Sequence, residues 1–172
     1  RYARELTDVF AIQDDIAQAI AGALQVKLVS HPARHTPKFS AYEALLKARH
    51  HARAYVPEAH ARAKQYSEQA IALDPKYAAP HALLGFTYLY TTTHTGQPLP
   101  EIAGLVRREA RRALELDPFE TDPHFLLGAV AAANDYDWAE SAREFKLAMV
   151  SPSVPAEAHW AYASFCLQPF GR

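Results

Sequence analysis

One cysteine, one methionine and six glycines in 172 residues leave several kinds of protein without their material. A lone thiol, Cys166, cannot build an intrachain disulfide framework and fits a reducing, cytoplasmic setting. Its apolar, aromatic neighbours would raise the thiol pKa and leave it inert. No apolar run approaches the roughly 20 residues that a membrane helix needs, and no signal-peptide pattern opens the chain. Basic and acidic side chains number 18 and 19, so no whole-chain field draws in nucleic acid or an anionic membrane. The sequence has no Gly-x-Ser-x-Gly elbow, no P-loop and no glycine-rich phosphate turn. No catalytic residue and no cofactor are therefore expected, and this chain is not expected to be an enzyme.

What the chain does have is a phrase that occurs twice. From Ala70 to Tyr88 it reads as the end of one helix, a stop at Asp74-Pro75, and a second helix through Leu84-Gly85. Pro75 has no amide proton and disfavours the helical region for Asp74. Gly85 inside a helix costs about 1 kcal/mol against Ala, and close helix packing is the cheapest reason for it. Ala113, Asp117-Pro118, Pro123-His124 and Leu126-Leu127-Gly128 repeat the phrase 43 residues on, and Pro118 to Pro152 is 34 residues.

A 34-residue period with this punctuation resembles the tetratricopeptide repeat (TPR) family, the 43-residue interval being one repeat with a nine-residue insertion. The resemblance implies an all-α fold: a right-handed superhelix of antiparallel helix pairs with an additional N-terminal helix. Residues 39–172 would hold about three and a half repeats, 31–38 a proline-bearing linker, and 1–30 a helical segment. That segment carries a stripe of Ile12, Ile16, Ile20 and Leu24 after a cap at Asp8. The run Arg1 to Ala17, with Tyr2, Phe10, Gln13 and Asp14, is similar to a junction in bacterial multidomain signalling proteins. There a TolB-like domain ends in this helix and a TPR array follows, beneath a winged-helix, kinase or adenylate cyclase module. The segment reads as the tail of an upstream domain, and the chain as part of a longer protein.

Local signals place the elements. Ser40 and Glu43, with Phe39 before them, read as a capping box opening a helix over about 41–54. Val56-Pro57 breaks the chain, and a partner helix runs to Leu73 with small contacts at Ala63 and Ala70. The second pair takes about 77–90 and 101–116, separated by a protruding loop over Thr91 to Pro100. Ile102, Leu105, Val106, Ala113 and Leu114 mark the packed side of its second helix. The third pair takes about 121–133 and 137–150, turning at Asn134 to Asp137, with Trp138 and Phe145 packed between helices. A last helix over about 155–167 carries Trp160, Tyr162 and Phe165.

Candidate sites follow from residue type. Adjacent His50 and His51 point about 100° apart, so with His60 nearby they still make a poor chelate, and no metal is expected. His81 and His124 occupy equivalent places, which points to packing at a repeat interface. Arg107, Arg108, Arg111 and Arg112 form a cationic band diluted by Glu101, Glu109 and Glu115. No aromatics interleave it, and a nucleic-acid partner is not expected.

The TPR resemblance places the first helix of each pair on a concave face. That puts Tyr42, Leu45, Arg49 and Arg53 there in repeat one, Ala82, Phe86, Leu89 and Tyr90 in repeat two, and Asp122, Phe125, Ala129 and Ala132 in repeat three. The expected partner-binding groove is Tyr42, Arg49, Arg53, Phe86, Tyr90 and Phe125. Rings offer stacking surface and the two arginines offer charge-assisted bonds to a carboxylate. The Lys/Asn clamp of chaperone-binding TPR domains is not matched. The expected function is a protein–protein interaction or scaffold module binding a protein or peptide. The alternative is self-association through the last helix, with Trp160, Phe165 and Phe170, regulating an upstream output module.

Overall fold

Asp74 and Asp117 end their helices in the same way. The computed structural model describes residues 13, 15–19, 35–54, 56–150 and 162–163, with side chains omitted at 93–95. Its helices are α1 (Phe39–Ala52), α2 (Pro57–Leu73), α3 (Ala78–Thr95), α4 (Leu99–Leu116), α5 (Asp122–Val130) and α6 (Trp138–Ala148). A π-helical turn, Ala131–Asp135, follows α5. Asp74 closes α2 in extended backbone (φ −144°) with its amide on the Ala70 carbonyl, and Asp117 closes α4 (φ −141°) with its amide on Ala113. Each aspartate also accepts the amide two residues on, Lys76 at 3.2 Å and Phe119 at 2.9 Å. The side chain thus builds the turn that the following proline cannot support by a backbone bond.

Every regular element among the described residues is helical. Short connections lay α1 against α2, α3 against α4 and α5 against α6 as antiparallel pairs. Neighbouring pairs meet through α2 with α3 and α4 with α5, and the first helices α1, α3 and α5 touch in sequence. Small residues line these seams: Ala63, Ala70, Ala110 and Ala113 are wholly buried. Val106, Leu126 and Val130 fill the centre. None of the described helices is long and apolar enough to cross a membrane.

The two repeated glycines sit at the closest approaches. A Cβ on Gly85 would lie 2.6 Å from Leu126 Cδ1, and one on Gly128 would lie 3.1 Å from the Phe145 ring. Leu126 and Phe145 are both wholly enclosed, so neither has free space to move into.

Several local expectations give way to longer-range contacts. The Ser40/Glu43 capping box does not form. α1 starts at Phe39 with Lys38 as its cap residue and no side-chain cap. The Lys38 amide instead donates to Asp74 Oδ2 at 3.0 Å, and Glu43 bonds Lys47 one turn on. The turn that ends α2 therefore fixes where α1 begins.

The expected loop over Thr91 to Pro100 is mostly helix. α3 continues to Thr95 and α4 starts at Leu99, leaving a short connection that turns at Gly96 (φ 70°). Thr91 and Thr92 donate their hydroxyls to the Tyr88 and Leu89 carbonyls at 2.6 and 2.7 Å. That back-bonding keeps β-branched residues in the helix. In α6, Phe145 is wholly buried as expected, but Trp138 is only half-buried, with its ring edge against exposed Tyr136.

The N-terminal segment is helical at 15–19, and Ile16 stands about half exposed at 49%. Ile12, Ile20 and Leu24 lie outside the described residues. So do Cys166, Trp160, Phe165, Phe170 and nearly all of the expected last helix. Its Tyr162 packs against Ala129 and Phe145.

The glycine contacts make a paired prediction for urea unfolding. Gly85→Ala should lose about 1–2 kcal/mol, because overpacking outweighs the helix propensity gained. Gly104→Ala, on the exposed side of α4 with nothing within 4 Å of a new Cβ, should gain about 0.5–1 kcal/mol.

Candidate functional site

Tyr42 and Arg49 lie seven residues apart on one face of α1, and Arg53 is the cap residue just past its end. Tyr42 is half-buried; Arg49 and Arg53 are exposed. The positive charge of Arg49 reaches Tyr77, at the start of α3, and Asp122, at the start of α5. Burial pushes the Tyr77 phenol up to about 12, with Arg49 opposing the shift. Burial also raises the Asp122 carboxyl above its ordinary value, and again Arg49 pulls the other way.

One turn beyond Asp122 stands Phe125. Its ring stacks on Phe86 of α3 at 5.1 Å and 17°, and Phe86 touches Tyr90 at 6.5 Å. Tyr90 stacks on His60 of α2 at 5.7 Å, and Phe125 meets Phe145 of α6 edge-on at 5.8 Å. Of the six expected residues, Phe86, Tyr90 and Phe125 are thus joined by ring contacts, and Arg49 acts on Tyr77 and Asp122. Phe86, Tyr90 and Phe125 are half-buried, and Phe86 and Phe125 pack on the core as well. Leu45 does not belong to the open face. It is wholly buried against Ala44, Ala70 and Leu83, because it fills the seam between the first two pairs. Ala82, Ala129 and Ala132 are buried too.

His81 and His124 pack within their own pairs, each on a buried glutamate. His81 Nδ1 lies 2.7 Å from Glu109 Oε2, and His124 Nδ1 lies 2.6 Å from Glu144 Oε2. An arginine holds the other oxygen each time: Arg108 donates twice to Glu109 Oε1, and Arg143 donates to Glu144 Oε1 at 2.6 Å. Burial pushes the Glu109 carboxyl up, but the His81 ring and the Arg108 guanidinium outweigh it, and its pKa falls below the ordinary value. The partners are 28 residues apart in the second pair and 20 in the third, so the longer pair carries eight extra residues between them. The repeated histidines were visible in the sequence. Their glutamates were not, because the two spacings differ.

The other histidines go separate ways. His50 and His51 meet edge to face, and His51 stacks on Tyr66 at 5.5 Å. Among the described residues no three His, Cys, Asp or Glu side chains are placed to share a metal ion. The cationic band along α4 lines an open cleft of about 560 Å³ with His81 and Glu109. Much of its charge is met locally: Arg107 pairs with Asp135, Arg108 with Glu109, and Arg112 with Glu115 at 2.9 Å.

No family model matches the chain. It is similar to a protein named "Putative adenylate cyclase 3" from Rhizobium meliloti (strain 1021), with 31% identity over 94 residues. That alignment takes in 52% of this chain and 16% of the other protein, so the chain spans only a small part of the relative's length.

Two titrations test these electrostatics. Glu109 adds stability that is fully present above about pH 4.3, its ordinary pKa, and is lost as pH falls through the lower native value. Glu109→Gln should therefore cost about 1.5–3 kcal/mol at neutral pH, with the gap to the wild type closing in acid. Thermal unfolding from pH 7 to pH 3 would measure it. Separately, carboxyl NMR should find Asp122 titrating above the ordinary aspartate range, and higher still in Arg49→Ala.

Proposed function

We propose that this chain is a TPR-like protein–protein interaction module in a larger bacterial signalling protein. Its partner-binding surface is the face of the first helices, and it takes a peptide or a partner domain. The observation that carries this reading is the continuity of that face. Exposed Arg49 on α1, with exposed Arg53 at its C-cap, acts on Asp122, one turn from the half-buried Phe125 that stacks on Phe86 beside Tyr90. Half-buried aromatics beside exposed arginines are the composition of interface hot spots.

The repeated Asp-Pro stops, the close-packing glycines and the antiparallel pairs support the TPR-like reading. The similarity to a protein named as an adenylate cyclase supports a place in nucleotide signalling. In this reading cyclase chemistry, where the parent protein has it, belongs to another segment. This chain acts by holding a partner, and an acidic group on that partner pairs with Arg49 or Arg53.

A peptide-display selection against the chain tests the proposal. Selected peptides should carry an acidic residue next to an apolar one. Their affinity should fall at least about tenfold in Arg49→Glu/Arg53→Glu and stay unchanged in Arg111→Glu. Peptides indifferent to the α1 arginines would overturn it. A concentration-dependent dimer in sedimentation, broken by the same α1 substitutions, would assign the face to self-association instead.

A further inference from the structure

A second recess lies between α2, α3 and α4. Pro57, His60, Ala61 and Lys64 form one wall from a single face of α2, at spacings of three, one and three residues. Tyr88 and Thr91 of α3 face them, Gln97 closes one end, and Ile102 and Leu105 of α4 make an apolar floor. The cavity measures about 370 Å³, at the small end of ligand pockets and suited to one ring with a short chain.

Among the described residues, Lys64 is the charged side chain that lines it, and no aspartate or glutamate does. The Lys64 ammonium lies 5.4 Å from the centre of the Tyr88 ring, and its distance to Glu68 is 3.9 Å, at the edge of an ion pair. Lys64 is about half exposed, so its head is free to turn into the recess. The Gln97 amide adds a neutral donor. A single cation above an apolar floor matches a ligand with one carboxylate and an apolar body. Phosphate would ask for several cations or a cluster of amides.

α3 has 18 residues against 14 in α1, and Gln97 stands in the connection just beyond its end.

We propose that this recess binds a small aromatic monocarboxylate, with Lys64 holding the carboxylate and Ile102 and Leu105 receiving the ring. The site is separate from the partner-binding face, and the proposal stands without it. The whole 172-residue chain, labelled with nitrogen-15, would be titrated with benzoate, phenylacetate and 4-hydroxyphenylacetate. Phenylacetamide and inorganic phosphate serve as comparisons.

At least one carboxylate should give saturable shifts at the His60, Tyr88 and Gln97 amides. Phenylacetamide and phosphate should bind at least about tenfold more weakly. Lys64→Met should weaken the carboxylate by a similar factor, and Lys64→Arg should restore most of it. Leu105→Trp, which fills the recess, should abolish binding, and Lys64→Met keeps the test independent of any unfolding by that bulky residue. The proposal is overturned if none of the three carboxylates saturates these amides by about 10 mM. It is equally overturned if the neutral amide or phosphate binds as well as the carboxylate, or if Lys64→Met binds like the wild type.

Discussion

The close approach at Gly85 sets the spacing on which the rest of the molecule depends. Leu126 of α5 fills the space where any other residue of α3 would place its Cβ, only 2.6 Å away. With the two first helices that near, Phe86, the next residue, stacks flat on Phe125 at 5.1 Å. On the same helix as Leu126, Asp122 lies within electrostatic reach of Arg49. Gly128 repeats the device on the Phe145 ring, within its own pair rather than between first helices. Wholly buried Leu126, Val106 and Val130 fill the space beside this row, so a small change in helix separation would be felt by its neighbours.

Buried carboxylates fix the orientation that apolar packing leaves open. Glu109 and Glu144 each face a histidine across their own helix pair and an arginine on their own helix. Asp74 does the same within the first pair, tying the end of α2 to the start of α1. It accepts from the His35 ring at 2.8 Å and the Lys38 amide at 3.0 Å, while Lys38 Nζ reaches the Leu73 carbonyl. Burial raises the Asp74 carboxyl, but the Lys38 amide and His35 outweigh it and hold the pKa low. Such groups add little net stability when paired and cost much when a partner is lost, so they penalise other registers. The first pair has no histidine at the position that corresponds to His81. Where the second has His81-Ala-Leu-Leu, the first has Glu43-Ala-Leu-Leu, and Glu43 turns outward to Lys47. Asp74 supplies the missing constraint at that end.

The sequence showed what is written in fixed order: the Asp-Pro stops, the paired glycines, the histidines 43 residues apart and the small residues of α2. These signals act within a few residues of themselves or recur with the repeat. The Ser40/Glu43 pair has the right letters for a capping box, but an aspartate 36 residues away takes the Lys38 amide. The threonines after Tyr90 look like a helix end, yet hydroxyl back-bonding and the length of α4 beside them keep the helix running. Leu45 has the helical phase of the open face, but the neighbouring pair covers it. The six expected groove residues came from the repeat resemblance, and the structure joins three of them, Phe86, Tyr90 and Phe125, in one row of ring contacts. Their partly structural duty was not legible, because it depends on which ring meets which across α2, α3, α5 and α6.

α3 stands on both sides of this organisation. Phe86 and Tyr90 belong to the aromatic row, while Tyr88, on another side of the same helix, forms a wall of the recess beneath Lys64. His60 joins the two, lining the recess and stacking on Tyr90. It is 4% exposed, packed between the recess and the Tyr90 ring. Tyr90 touches Phe86, and Phe86 is stacked on Phe125. The physical path from one face to the other is therefore three ring contacts long. It runs through the helix pair whose extra length sets it apart from its neighbours, which makes the middle pair, rather than either end of the array, the place where occupancy of one face would be felt on the other.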